Sequence, residues 1–330
     1  MRTTFAVMMG LTAAIATTSV HADRGMIPFR PHVQIFEPNQ RAMIAWNGTE
    51  EILLLSTDLR ASEATKVLEV IPLPSEPKVK KGDVEVFKRA TELINEKLGV
   101  REVRMTSARH ANSPSFDRAI PAGEVTFHKK IGPHDISVTR VNDATGFVQW
   151  VQKYLRSNRV VNPLIPPEVR TAVANYLKDG FSWFVFDLVE LDAEPKTNDA
   201  IQYRFKSDAL FYPLRISRVG KGDTAINLLI LSPYLFESFL GVSRDRVDLE
   251  HPPITITSAE LRSLNQDMAD SLGAKPRSFW RLRLRPPRPF GSHYKLEDDD
   301  APSQDNSMKL RIWRLRGALS SFDADLIAKP

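Results

Sequence analysis

The stretch AMIAWNGTEEILLLS, residues 42–56, contains two apolar runs joined by the turn sequence Asn47-Gly48-Thr49. Asn-Gly between two β-forming runs is a strong hairpin signal, because a tight turn needs residues that tolerate a positive φ. The stretch therefore predicts two antiparallel strands, over 42–46 and 51–56. Asn47 also begins an Asn-Gly-Thr glycosylation sequon, but the turn explains these residues without a sugar.

Working outward from this hairpin, strands and helices follow each other without strict alternation. The helical spacing of apolar residues predicts four helices, which begin near Asp83, Asn142, Pro166 and Ser258, with Asn142 as the cap of the second. The last of them, with Ser258 as its cap, lacks the acid that a full capping box needs. From Phe181 onward most segments are typical of strands, including one over 210–217. We therefore expect an α+β fold with mixed or antiparallel sheets, about four helices and a strand-rich second half.

The first 22 residues have the three parts of a secretory signal peptide. Arg2 is basic, residues 5–15 are mostly apolar, and Ala22 is a small residue at the expected cleavage point. An uncleaved anchor is the alternative, but the apolar run is about half of the roughly 20 residues that cross a bilayer. We expect cleavage near Ala22 and a periplasmic or secreted protein.

The remaining chain, residues 23–330, contains no later segment that is long and apolar enough to span a membrane. Its length suits either a single large α+β unit or two intimate lobes, 23–180 and 181–330. We therefore predict a soluble mature chain without a transmembrane segment.

The chain has no cysteine, which excludes disulfides, a thiol nucleophile, Cys-based metal sites and a lipid anchor on cysteine. It also has no Gly-rich phosphate loop, so the sequence predicts no cofactor. The formal net charge is only +5, which is weak support for a nucleic-acid partner. We therefore predict no nucleic-acid binding.

Three parts of the chain together resemble a known family. They are QRAMIAWNGTEE at 40–51, LEVIPLPSEP at 68–77, and FKSD at 205–208 followed by YPLRI at 212–216. The set is similar to the exported prokaryotic family catalogued as domain of unknown function 2330. The resemblance implies export and a single large folded unit, and it carries over no catalytic residue. Many members have cysteines near the mature N-terminus, and this chain departs from that pattern.

Two Arg-rich strands are predicted near the C-terminus, at 279–285 and 309–316. Strand alternation places three arginines of the first on one face: Arg281, Arg283 and Arg285. The second strand adds Arg311, Arg314 and Arg316, with a slip in alternation at Ile312-Trp313 that a β-bulge would explain. Paired strands would form a band of guanidinium groups suited to phosphate, sulfate or carboxylate. The alternative is an edge sheet kept soluble by charge and paired with local acids.

A candidate metal site consists of His128, which ends one predicted strand, and His134-Asp135, which begin the next. In a hairpin the two imidazoles would approach each other with Asp135 nearby, and zinc accepts such nitrogen and oxygen ligands. The alternative is that histidines beside a turn are solvated polar residues.

The leading hypothesis for function is an exported, non-catalytic binding protein for an anionic envelope or extracellular ligand. Its partner would be an anionic envelope polymer or a protein. One alternative is a periplasmic hydrolase that uses carboxylates or the His/Asp metal site. Another is a structural or assembly partner in the cell envelope. No residue is assigned a catalytic role.

Overall fold

The computed structural model describes residues 25–30, 33, 35–99, 124–160, 163–191, 196–197, 200–220, 223–236, 239–273 and 308–330. The predicted leader and the first Arg-rich strand, with Arg281, Arg283 and Arg285, lie outside these residues. No helix in the described ranges combines the length and apolar character needed to cross a membrane.

The described residues contain five α-helices and 17 strands. The helices are α1 Glu85–Leu98, α2 Ala144–Ser157, α3 Pro167–Lys178, α4 Ser258–Leu264 and α5 Gln266–Gly273. The strands are β1 Gly25–Pro28, β2 Ile35–Trp46, β3 Glu50–Ala61, β4 Thr65–Leu73, β5 Lys78–Lys81, β6 Glu124–Ile131, β7 His134–Arg140, β8 Trp183–Leu191, β9 Lys196–Thr197, β10 Ile201–Lys206, β11 Leu210–Tyr212, β12 Asp223–Ser232, β13 Phe239–Leu240, β14 Val247–Leu249, β15 Ile254–Ile256, β16 Met308–Ala318 and β17 Leu326–Ala328.

The predicted hairpin is confirmed: β2 and β3 are antiparallel, with Trp46 opposite Glu51. Gly48 has a φ of 100°, which explains the glycine at the turn. Asn47 is buried, and its side-chain oxygen accepts hydrogen bonds from the main-chain N–H groups of Thr49 and Glu50. The turn therefore uses the polar atoms of the sequon asparagine.

Each of the two large sheets contains strands from both halves of the chain. An all-antiparallel sheet has the order β1-β4-β8-β7-β6, and a nine-stranded sheet runs β14-β16-β12-β2-β3-β10-β5, with β15 paired to β16 and β9 to β3. The β12–β2 pair is parallel, whereas the other pairs of this sheet are antiparallel. A small sheet, β11-β17-β13, completes the strands. The mixed α+β class predicted from the sequence is confirmed.

The described residues form four apolar clusters: three large ones and a smaller one, which includes Leu59 and Val189 and has members on both large sheets. The two large sheets pack face to face, and their inner faces supply one core that includes Trp46, Val185 and Trp313. Helices α2 and α3 cover the outer face of the five-stranded sheet. Helices α1, α4 and α5 cover the outer face of the nine-stranded sheet. Each helix buries one apolar stripe, as the sequence periodicity predicted.

Three local predictions were wrong. Asp143, rather than Asn142, caps α2, since its carboxylate accepts the Gly146 N–H. The helix predicted from Ser258 is two helices, with extended backbone at Asn265, and its cap is Thr257. This shift places Glu260 in the position that completes a capping box. The strand predicted over 210–217 ends at Tyr212, because Pro213 offers no N–H to a ladder.

Candidate functional site

A row of polar side chains lies on β7, on the face of the five-stranded sheet that helix α2 covers. Asp135, Ser137 and Thr139 alternate along β7, opposite Leu188, Phe186 and Phe184 of β8. These three β8 residues belong to the apolar core under α2 and α3. Ser137 and Thr139 are only 4% and 1% exposed. The row therefore faces a covered, largely apolar layer rather than solvent.

His128 joins this row from the neighbouring strand β6. Its Nδ1 lies 2.9 Å from Ser137 Oγ, and its Nε2 lies 3.3 Å from Asp135 Oδ1. Burial raises the pKa of the Asp135 carboxyl, although the nearby His128 opposes this shift. Tyr154 of α2 stands close enough for its pKa to be raised by burial and then by the charge of Asp135. The four side chains form one polar cluster at the sheet–helix boundary.

His134 is separated from this cluster. His134 is next to Asp135 along β7, and adjacent residues of a strand point to opposite faces, so its side chain lies on the other face of the sheet. There its Nδ1 lies 2.6 Å from Asp187 Oδ2, and both side chains are buried. The structure thus brings His128 and Asp135 together but does not bring His134 to them. In the described part of the chain, no three His, Asp or Glu side chains are arranged as metal ligands.

A cavity of about 310 Å³ opens at the Thr139 end of the polar row. Phe147, Trp150 and Phe186 supply its apolar wall, and Arg140 and Lys153 also line it. The Thr139 hydroxyl is buried and has no hydrogen-bond partner among the residues that the structure describes. Strand alternation directs the Arg140 side chain to the opposite face of the sheet, where it lies over the Trp183 ring, so Lys153 is the cationic side chain on the cavity's side.

The three described arginines of the second Arg-rich strand do not share one face. The β16–β12 register is continuous from Lys309 to Ala318, so the predicted bulge is absent and that prediction was wrong. Strand alternation places Arg311 on the face of Trp313, and Arg314 and Arg316 on the opposite face. The alternation changes at Ile312-Trp313 because helices cover one face of the first half, whereas the other sheet covers Trp313.

The partners of these arginines also differ. Arg314 is paired with Glu250, and Arg316 lies 3.9 Å from Asp248. Arg311 donates from Nε to the His251 carbonyl at 2.6 Å and has no carboxylate partner among the described residues. Burial, followed by the charge of Arg244, lowers the pKa of the Arg311 guanidinium. Among the described arginines of this strand, Arg311 therefore differs from the other two in having no acidic side chain beside it within the described residues.

Arg244 is the charged neighbour of Arg311 and precedes β14. One of its terminal nitrogens donates to the Val247 carbonyl, and its guanidinium lies 5.9 Å from the centre of the Phe239 ring. It too has no carboxylate partner within the described ranges. Two guanidinium groups thus stand near each other with main-chain carbonyls and an aromatic ring, rather than acids, as their contacts.

Sequence reasoning found His128, Asp135 and Arg311 but missed Ser137, Thr139 and Arg244. The period-two polar pattern Asp135-x-Ser137-x-Thr139 is visible in the sequence, and it predicts a solvent-facing side of a strand. Nothing in that pattern shows that α2 covers the same side. The proximity of Arg244 to Arg311 has no sequence signal, because the two residues are far apart along the chain.

Comparisons with solved structures give only distant similarity. The crystal structure of baculovirus P35 aligns with a TM-score of 0.38 and 8% identity, over 92% of this chain and 99% of that chain. A mutated baculovirus P35 after caspase cleavage gives 0.35 and 8%, over 66% of this chain and 76% of that chain. A chain of the caspase-8/P35 complex gives 0.33 and 7%, over 67% and 75%. TM-scores this low support no inference about the present chain.

Comparison with curated protein sequences finds no match. The model of a family described as uncharacterized proteins conserved in bacteria matches residues 20–240, more than half of the chain. This match confirms the resemblance read from residues 40–51, 68–77 and 205–216. The chain therefore belongs to this bacterial family of uncharacterized proteins, catalogued as domain of unknown function 2330.

Proposed function

We propose that this protein is exported and binds an anionic polymer of the cell envelope or extracellular space without catalysing a reaction. The main support is the pair Arg244 and Arg311, neither of which has a carboxylate partner among the described residues. Export is inferred from the leader-like residues 1–22. The N-terminal sequence of the protein recovered outside the cytoplasm tests it, with Asp23 as the expected first residue.

Two neighbouring guanidinium groups repel each other, so a bound anion would relieve this repulsion and gain charge-assisted hydrogen bonds. Arg311 uses only Nε in a hydrogen bond to a described residue, which leaves its terminal nitrogens for a ligand. Guanidinium groups suit phosphate, sulfate and carboxylate because their planar donors match these oxygens in pairs. A polymer that carries such groups at intervals would also reach further basic residues.

The experiment is chromatography on immobilised heparin at low salt. Arg311→Gln and Arg244→Gln should each elute at a lower salt concentration than the unchanged protein, because phosphate-like contacts are salt-sensitive. Arg316→Gln is the matched control: it removes the same charge from a side chain that is 58% exposed and already faces Asp248. If all three variants eluted at the same lowered salt concentration, the loss of one positive charge would explain the effect, and the proposal would be contradicted.

A second variant set examines the predicted strand over 279–285, which lies outside the described residues. Replacing Arg281, Arg283 and Arg285 together with Gln should weaken retention on heparin or on anionic cell-wall polymer. Unchanged elution of this triple variant would show that Arg281, Arg283 and Arg285 do not contribute to the proposed binding, and would leave Arg244 and Arg311 as its tested members.

A hydrolase is the second candidate, and the contacts of His128 favour it. A serine hydroxyl and a carboxylate on opposite nitrogens of one imidazole resemble the parts of a nucleophilic site. Ser137 is only 4% exposed, so a substrate would need access beneath α2. Labelling by a fluorophosphonate that is lost in Ser137→Ala and His128→Gln would support this candidate. Elemental analysis of the purified protein and of His128→Gln examines the metal-dependent version.

A further inference from the structure

We propose that the surface around Leu235 and Leu240 binds an anionic lipid membrane, with the two leucines entering the headgroup layer. The inference rests on the proposed function in one respect, because Arg244 and Arg311 would contact the lipid phosphates. It adds an apolar contribution that a polymer such as heparin does not use. Variants of the leucines therefore separate membrane binding from polymer binding.

The two leucines are exposed members of a stretch whose aromatic side chains face the core. Among the described residues four large apolar side chains are exposed, and two of them are Leu235 and Leu240, at 53% and 54%. Their neighbours Phe236 and Phe239 pack against Trp313, with ring centroids 5.7 Å and 4.6 Å away. The leucines are thus held at the surface by aromatic residues that are anchored between the two large sheets.

Leu240 also continues an apolar row on the small sheet β11-β17-β13. The register places Leu240 opposite Ile327, and Ile327 opposite Phe211. Phe211 is buried, Ile327 is partly buried and Leu240 is exposed, so the row runs from the core to the surface. Leu240 lies on β13, the edge strand of this sheet. A connected apolar surface that reaches solvent in this way indicates a binding surface rather than a scattered exposed residue.

Basic side chains stand beside this apolar surface. Arg244 lies over the phenylalanine ring of β13 at 5.9 Å, and its charge acts on Arg311. Neither arginine has a carboxylate partner among the described residues. Lys329 directly follows β17 and is exposed. The sequence supplies two acids close to Arg244 along the chain, Glu237 and Asp245, against these three cations. The balance of these charges is therefore positive.

This charge favours a membrane over a second copy of the chain. Two copies that met through this surface would bring their cationic groups together, and like charges repel. An anionic membrane instead offers phosphate oxygens to Arg244 and Arg311 and an apolar layer to the leucines. Binding at such an interface grows both with the apolar area that enters it and with attraction to anionic lipids.

The test is sedimentation of the protein recovered outside the cytoplasm with vesicles, in about 0.1 M salt. One set contains equal parts of phosphatidylglycerol and phosphatidylcholine, and the other contains phosphatidylcholine alone. We expect binding to the anionic vesicles to be about tenfold stronger or more. Leu235→Ser and Leu240→Ser should each weaken it by about fivefold, because each removes apolar area from the contact. Both variants should elute from heparin at the salt concentration of the unchanged protein.

Leu164→Ser is the matched control, because Leu164 is 76% exposed but precedes α3 and is not part of this surface. It should bind vesicles as the unchanged protein does. Thermal unfolding checks that each variant is folded, which we expect because the substituted leucines are exposed.

Absence of binding to the anionic vesicles would overturn the proposal. So would unchanged binding by the double variant of Leu235 and Leu240, or an equal loss in Leu164→Ser. A dimer that becomes a monomer in Leu240→Ser, with vesicle binding unchanged, would identify a second copy as the occupant and overturn it too. Unaltered heparin elution of Arg244→Gln would contradict the polymer proposal alone.

Discussion

His134 and Asp187 form a buried pair on the inner face of the five-stranded sheet, with Nδ1 2.6 Å from Oδ2 and side-chain exposures of 6% and 2%. Removing one partner leaves the other polar group in a site that water does not reach. His134→Ala should therefore lower the free energy of unfolding by about 3 kcal/mol, since broken buried pairs cost this much. Urea denaturation measures the change.

Lys66→Ala is the control for this prediction, because Lys66 and Glu190 form an exposed pair on the same sheet at 2.8 Å. Exposed pairs contribute less than about 1 kcal/mol. A His134→Ala variant as stable as Lys66→Ala would show that the buried pair contributes little. The same pair makes His134→Ala a poor probe of metal binding, since loss of stability would obscure loss of metal.

Tyr176 and Asp325 connect helix α3 to the C-terminal segment. The Tyr176 hydroxyl donates to Asp325 Oδ1 at 2.5 Å, and the same oxygen accepts the Arg215 main-chain N–H at 2.9 Å. Tyr176→Phe removes one donor from a buried carboxylate, so we expect a loss of about 1–3 kcal/mol. Tyr154→Phe is the matched control, because no carboxylate among the described residues accepts a hydrogen bond from the Tyr154 hydroxyl. Thermal unfolding that is equally perturbed by both variants would contradict this reading of Tyr176.

Much of the fold follows from local signals in the sequence. The Asn47-Gly48 turn, the glycine that ends α1 and the apolar stripes of the helices each depend on neighbouring residues, so each was predictable. The pairing order of strands was not, because contacts such as β12 with β2 join segments that are distant along the chain. Capping was predicted one residue from its true position at both α2 and α4, since adjacent polar residues are equally good caps in sequence.

The candidate site was only partly predictable for the same reason. His128 and Asp135 lie on one hairpin, so their proximity followed from a short-range prediction. The hairpin also predicts His134 near them, because it brings both histidines close to the turn, but strand alternation sends neighbouring residues to opposite faces. The burial of Ser137 and Thr139 depends on α2 and β8, which no local pattern describes.

Asn47 shows how the central hairpin is attached to the helical layer. Its side-chain oxygen accepts two main-chain N–H groups of the turn, and its Nδ2 donates to the Ser271 carbonyl at 3.0 Å. Asn47→Ala removes all these bonds and should cost about 2 kcal/mol, whereas Asn47→Asp keeps the acceptor and loses only the bond to Ser271. We therefore expect Asp to be intermediate between Ala and Asn in urea denaturation. An alanine variant of unchanged stability would contradict this role.

Glu50 and Glu51 are neighbours on β3, and the pKa values of their carboxyl groups are shifted in opposite directions. Glu51 is fully buried, and burial raises its pKa well above 4.5 even though it accepts the Phe211 N–H. Burial also acts to raise the pKa of Glu50, but hydrogen bonds from Arg204 and Ser271 outweigh it and lower that pKa. The folded state therefore holds the proton of Glu51 more tightly, and that of Glu50 less tightly, than the unfolded chain.

The stability contribution of Glu51 is complete below its unfolded pKa and is lost as pH rises through its folded pKa. That of Glu50 is present above its unfolded pKa and is lost as pH falls through its folded pKa. Glu51→Gln mimics the protonated acid, so it should raise the free energy of unfolding at neutral and alkaline pH and flatten the loss of stability there. Glu50→Gln should instead lower stability at neutral pH and have less effect in acid. Urea denaturation at a series of pH values measures both, and effects of the same sign at pH 8 would contradict the assigned burial of Glu51.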